Sequence, residues 1–176
     1  MSNRERIEPG DIFEIETPDG PALVQVTHMH PTSSEVVRVL ARTTGDIAAD
    51  LDGLARQEPL LVAMVPFASA IGSGRLNGRK VGRAVVPEDA RAFPTFRMPI
   101  LDKKEGVRAN VAYWWFWDGE GLTYDAEPPA ETERFPLREV LSVDAFLGYH
   151  FDQGLSPRRV EVEELFHPAT LEAYSL

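Results

Sequence analysis

The chain has 176 residues, of which 43% are hydrophobic and 26% charged, enough for one well-buried core and far from the composition of a disordered chain. It has no cysteine, which excludes disulfides, thiolate metal ligands and a cysteine nucleophile. The formal charge of -10 is uneven, with 11 acids against 5 bases in residues 1–60, 4 against 9 in 61–110 and 13 against 4 in 111–176. A chain this acidic repels phosphate backbones, so nucleic acid is not an expected partner and a basic protein is.

The opening, MSNRERIEPGD, has no apolar stretch of the kind that directs secretion, and no later segment approaches the ~20 apolar residues of a bilayer span. A cytoplasmic protein with no membrane partner is expected. The first elements form a hairpin. Ile12, Phe13 and Ile15 precede Thr17-Pro18-Asp19-Gly20, and Leu23, Val24 and Val26 follow it; Pro18 presets a turn angle and Gly20 can supply a positive φ. After the loop 31–34, EVVRVLA (35–41) reads as a third strand of a meander.

Next, TTGDIAADLDGLARQ (43–57) predicts a helix with Thr44 or Asp46 as N-cap and Ile47, Leu51 and Leu54 on one face. The proline-bounded run PLLVAMVPF (59–67) predicts a buried strand. Asn77-Gly78 then signals a two-residue hairpin, which Gly74 and Gly82 weaken. PEDARAFPTFRMPI (87–100), with its three prolines, predicts an irregular connection anchored by Phe93 and Phe96. VRANVAYWWFW, DGEG and LTYD predict a further hairpin, and LSVDAFLGYHF a short helix capped by Ser142. Pro168 breaks the last segment, and there is no internal repeat. The sum is a single α+β domain built on a strongly twisted, barrel-like antiparallel sheet with short covering helices.

Three features carry candidate chemistry. His28 and His30, in VQVTHMH, lie two residues apart at a strand end and so point to the same side. A zinc ion needs at least a third ligand, and neither cysteine nor a helical histidine pair supplies one. The plainer reading is a solvated or locally hydrogen-bonded pair, with no cofactor.

The second feature is the aromatic run Tyr113 to Trp117, which places rings on both faces of a strand. Core packing accounts for most of it; Trp117, beside the polar DGEG turn, is the expected exception and a candidate binding hot spot. Third, Asp118, Glu120, Asp125, Glu127, Glu131 and Glu133 precede the first base of that stretch, Arg134. Two prolines and two glycines lie among them, so they belong to loops and form either a solvated rim or a docking patch for a basic partner. GSGRLNG (72–78) matches neither phosphate-loop spacing, and no GxSxG elbow occurs. No complete catalytic set is present, which weighs against an enzyme.

The N-terminal hairpin also carries a family likeness. Pro9-Gly10-Asp11-Ile12-Phe13-Glu14-Ile15, then Asp19-Gly20 and Val24-Gln25-Val26, resembles the opening of the bacterial immunity protein 26 family. An aromatic-glycine pair usual after the turn in that family is replaced here by Pro21-Ala22-Leu23. The resemblance implies a small cytoplasmic protein that protects a cell by binding and neutralising a polymorphic toxin; for a basic toxin domain, the acidic stretch makes Trp117 and the six acids the expected contacts. Small phosphotriesterases are grouped with that family, which keeps an alternative: a metal-dependent hydrolase using His28 and His30, with Asp11 or Glu35 completing the site.

Overall fold

A computed structural model describes residues 6–16, 21–32, 34–40, 50–102 and 110–136. They fall into two compact units, one within residues 1–93 and one within 94–138. The fold class is α+β, with short helices and antiparallel strands. The expected barrel-like closure is corrected: one sheet has five strands and the other three, and both are open.

In the first unit, strands β1 (Asp11–Ile15), β2 (Ala22–His28), β3 (Glu35–Val39) and β4 (Leu61–Val65) form the meander. Phe13 stands opposite Val24 and Val26 opposite Val37. The turn residues Thr17 to Gly20 lie outside the described residues, as do Ala41, Thr44, Asp46 and Ile47. Helix α1 (Leu51–Arg56) is capped by Asp50, whose carboxylate accepts the Gly53 N–H at 2.7 Å, the arrangement that satisfies one of the first free amides of a helix.

The segment after β4 departs from the sequence reading. The run 59–67 is a strand only to Val65, and helix α2 (Phe67–Ser73) follows Pro66 directly. Its N-cap residue, Pro66, makes no side-chain cap bond, so the usual local start signal is missing; the Ala68 N–H is met instead by the Glu35 carboxylate of β3. Asn77-Gly78 is not a hairpin turn: β5 (Gly78–Arg83) starts at Gly78 and pairs with β1, giving the order β4-β3-β2-β1-β5. Tertiary pairing with β1 overrides the local turn signal, because β5 has a helix and not a strand before it.

Residue alternation then assigns the two faces of this sheet. Phe13, Ile15, Val24, Val26, Val37, Val39, Ala63 and Val65 pack with Phe67, Ala70 and Leu76 of the α2 region. The seven residues whose alternation in β1 to β3 predicts a core, Ile12, Phe13, Ile15, Val24, Val26, Val37 and Val39, are all buried. On the opposite face Ile12, Leu23 and Leu40 pack with Ala55 of α1 and Ala84. Gly10 joins the sheet margin at φ +96°, where a Cβ would lie 2.9 Å from the Ala84 carbonyl oxygen; only glycine fits that approach without strain.

The second unit is a three-stranded sheet, β6 (Phe96–Asp102), β7 (Asn110–Trp117) and β8 (Leu122–Asp125), in that order. The expected irregular connection is therefore shorter than read: it holds one 3-10 turn at Glu88–Ala90 and ends where β6 begins. Pro99 sits within β6 because β6 is an edge, where a missing N–H breaks no ladder. Ser142 and the rest of the C-terminal helix reading, with Pro168, lie outside the described residues. No helix among the described residues is long and apolar enough to cross a membrane.

Candidate partner-binding surface

The β7–β8 hairpin turns through Asp118-Gly119-Glu120-Gly121, with Gly119 at φ +98°. One Asp118 carboxylate oxygen accepts the N–H groups of Glu120 at 3.0 Å and Gly121 at 2.7 Å, an arrangement by which aspartate stabilises a tight turn. These two backbone donors, Gly121 foremost, hold the Asp118 carboxyl below its ordinary pKa. Asp125 repeats the motif one strand later and accepts the Glu127 N–H at 2.9 Å. A 3-10 turn, Ala130–Arg134, carries Glu131 and Glu133.

All six predicted acids, Asp118, Glu120, Asp125, Glu127, Glu131 and Glu133, are exposed. None forms an ion pair among the described residues. They share the second unit, and residues 111–136 contain one base, Arg134, against these six.

Trp117 requires a correction. It is 8% exposed and packs against Phe96, ring centroids 6.2 Å apart, so it is not the exposed exception that its place beside the turn suggested. The register explains why: Trp117 lies opposite Phe96 on β6 and shares that face with Trp115 and Tyr113. Tyr113, Trp114, Trp115 and Phe116, expected to be largely buried, are half-buried. On the other face Arg97 lies 4.8 Å over the Trp114 ring, and Phe116 meets Phe135 edge-on.

Burial is lowest at β8. All four β8 residues are exposed, and Leu122 at 46% and Tyr124 at 76% are large apolar groups facing water. Neither was singled out from the sequence. The signal was available in Pro99: a proline in β6 marks one edge, a strand with aromatics on both faces belongs at the centre, and LTYD is left as the other edge.

The histidine pair presents different chemistry. His28 Nε2 lies 3.0 Å from the Arg91 carbonyl oxygen, to which it can only donate, and Nδ1 lies 2.9 Å from the Thr27 hydroxyl. His30 Nδ1 accepts the Thr32 N–H at 3.3 Å. Both rings pack against Phe93, at 5.3 and 5.8 Å between centroids. The two imidazoles do share a side, as expected, but around a phenyl ring. Asp11 is held by the Glu8 N–H at 2.9 Å and by Lys80 at 3.1 Å, and Glu35 accepts the Ala68 N–H. No group of three or more histidine, aspartate or glutamate side chains that could hold a metal occurs among the described residues.

A third polar cluster was not anticipated. Arg38 is 2% exposed; its guanidinium donates to Gln25 Oε1 at 3.2 Å, Ala55 O at 3.0 Å and Gln57 O at 3.1 Å. Gln25, fully buried, passes its amide N–H on to Ala84 O at 3.1 Å. Burial lowers the Arg38 pKa from its ordinary value, opposed by the negative charge of Asp89. The carbonyls at the end of α1 take the place of a carboxylate, since the C-terminus of a helix carries partial negative charge and unsatisfied acceptors. Arg38 therefore fastens α1 to the sheet. No family model, no curated protein and no solved structure matches this chain.

Proposed function

We propose that this chain is a cytoplasmic immunity-type protein that binds a cognate toxin domain and neutralises it by occlusion, without catalysis of its own. The observation that carries the reading is the exposed acidic surface of the second unit, where Asp118, Glu120, Asp125, Glu127, Glu131 and Glu133 face water without basic partners among the described residues. The likeness of the first hairpin to immunity proteins supports it. Leu122 and Tyr124 replace Trp117 as the apolar component of the surface, since Trp117 is buried. Complementary charge speeds encounter and fixes register, while apolar contact slows release.

The partner is a basic toxin domain, neither a nucleic acid nor a membrane. The hydrolase alternative draws no support from His28, whose ring nitrogens are engaged by Thr27 and the Arg91 carbonyl. The test is a search of the neighbouring reading frames for a toxin-like protein and co-expression with it, followed by simultaneous reversal of Asp118, Glu120 and Asp125 to lysine. The association rate should fall at least tenfold at low salt and lose most of its salt dependence. An unchanged rate and salt dependence would reduce the acids to a solvated rim.

A further inference from the structure

We propose that the open edge of β8 is a strand-docking site, which takes an extended lysine- or arginine-rich segment of a partner protein as a fourth strand. This rests on the reading of the acidic surface as partner-binding and adds the backbone chemistry of the contact. The sheet has two edges, and they differ. On β6, Pro99 has no N–H to offer, and the Arg97 N–H already donates to Pro136 O at 2.9 Å. On β8 all four residues are exposed.

The phase of the ladder identifies the groups on offer. Asp118 N–H donates to Gly121 O, and bonded and non-bonded pairs alternate in an antiparallel ladder. Phe116 opposite Thr123 and Trp114 opposite Asp125 are then the bonded pairs. The N–H and C=O groups of Leu122 and Tyr124 consequently point away from β7, toward the open edge. Natural proteins protect such an edge with lysines, proline or a bulge. β8, LTYD, has neither lysine nor proline, and its pairing with β7 is regular.

Charge selects the occupant. Asp118 and Glu120 stand at the turn end of β8, and Asp125 and Glu127 at the other, so an added strand runs between two acidic ends. A second copy of this chain would bring the same acids into opposition, whereas a basic segment neutralises them. Leu122 and Tyr124 share one face, and Tyr124 meets Tyr113 edge-on at 6.1 Å, giving alternate side chains of the incoming strand an apolar floor. Main-chain bonds would supply affinity and these side chains specificity, as in other strand-addition complexes.

The test uses the full chain and two synthetic octapeptides of alternating lysine and valine, identical except that one carries methyl groups on alternate backbone nitrogens. The unmethylated peptide should bind at least tenfold more tightly and slow amide exchange at Leu122 and Tyr124 at least tenfold. Tyr124→Pro, which removes an outward N–H and no ladder bond, should weaken binding at least tenfold, and Tyr124→Ala less. Equal binding of both peptides, unaltered exchange at those amides, or no binding of either at low salt would overturn the proposal. Dimers abolished by Tyr124→Pro would overturn it too, by giving the edge to a second copy. If Tyr124→Pro fails to fold, the two peptides against the unaltered chain still decide. The lysine triple variant separates the two readings: binding that the unaltered chain gives equally to both peptides and the variant loses leaves the acidic surface standing and the edge not, whereas binding by the variant that still discriminates between them leaves the edge standing and the acidic surface not.

Discussion

In the five-stranded sheet residues from a helical segment cover each face, α2 on one side and α1 on the other, and even a guanidinium is enclosed and makes three hydrogen bonds. In the three-stranded sheet burial declines from Phe96, fully enclosed, to Tyr124, three-quarters in water. Both sheets are antiparallel and rich in large apolar residues. They differ in what happens at the margin: the first spends its apolar surface on its own core, and the second leaves part of it facing outward beside six acids. A surface of that kind is suited to binding, whereas the enclosed sheet is suited to holding shape.

Aromatic truncation tests that contrast most strongly. Phe67 is fully buried and meets Phe13 edge-on at 5.2 Å, so Phe67→Ala should cost about 3–5 kcal/mol in urea unfolding. Tyr124→Ala, at the exposed margin, should cost no more than about 0.5 kcal/mol. Comparable losses at the two positions would erase the distinction between core and binding edge. Arg38→Lys sharpens the same contrast from the polar side. An ammonium is a point donor and cannot span Gln25, Ala55 and Gln57 together, so a loss of about 2 kcal/mol is expected by the same measurement. A neutral result would show that the fork geometry is dispensable.

The parts of this arrangement that could be read from the chain were those in which local chemistry and tertiary pairing agree. Ile12, Phe13, Ile15, Val24 and Val26 flank a proline and glycine turn, and the structure pairs the two strands antiparallel and buries all five. Helix α2 was hidden because Pro66 starts it without a side-chain cap and Phe67 continues an apolar run that reads as strand. β5 was hidden because its partner is β1, reached only by tertiary contact. The six acids were legible as exposed because carboxylates without partners stay in water. Trp117 was not, because position beside a turn says less about burial than the strand opposite, and β6 was itself unread. Arg38 gave no local sign, since its acceptors are the backbone carbonyls of a helix end.

The smallest expected effect concerns Asp118. Its folded carboxyl is depressed by the Gly121 and Glu120 amides, so the contribution of this turn is present above the unfolded aspartate value, about 3.9, and is lost as pH falls through the folded value. Carboxyl-detected titration should place Asp118 below an ordinary aspartate, and Asp118→Asn should remove the acid-dependent loosening of the hairpin. An ordinary midpoint for Asp118 would mean that the two amide bonds do not persist in solution.

The pairing of β1 with β5 bears on the order in which the chain can assemble. Glu14 and Arg79 meet across 65 residues of sequence, while β1–β2, β2–β3 and β7–β8 join neighbouring segments. Closing a long loop must precede the contacts that repay its entropy. During synthesis the first hairpin can form while β5 is still unmade, and until Arg83 emerges from the ribosome the side of β1 that β5 will cover is an unpaired strand edge. The interval between residues 15 and 83 is thus a period in which this protein is most open to pairing with the wrong chain.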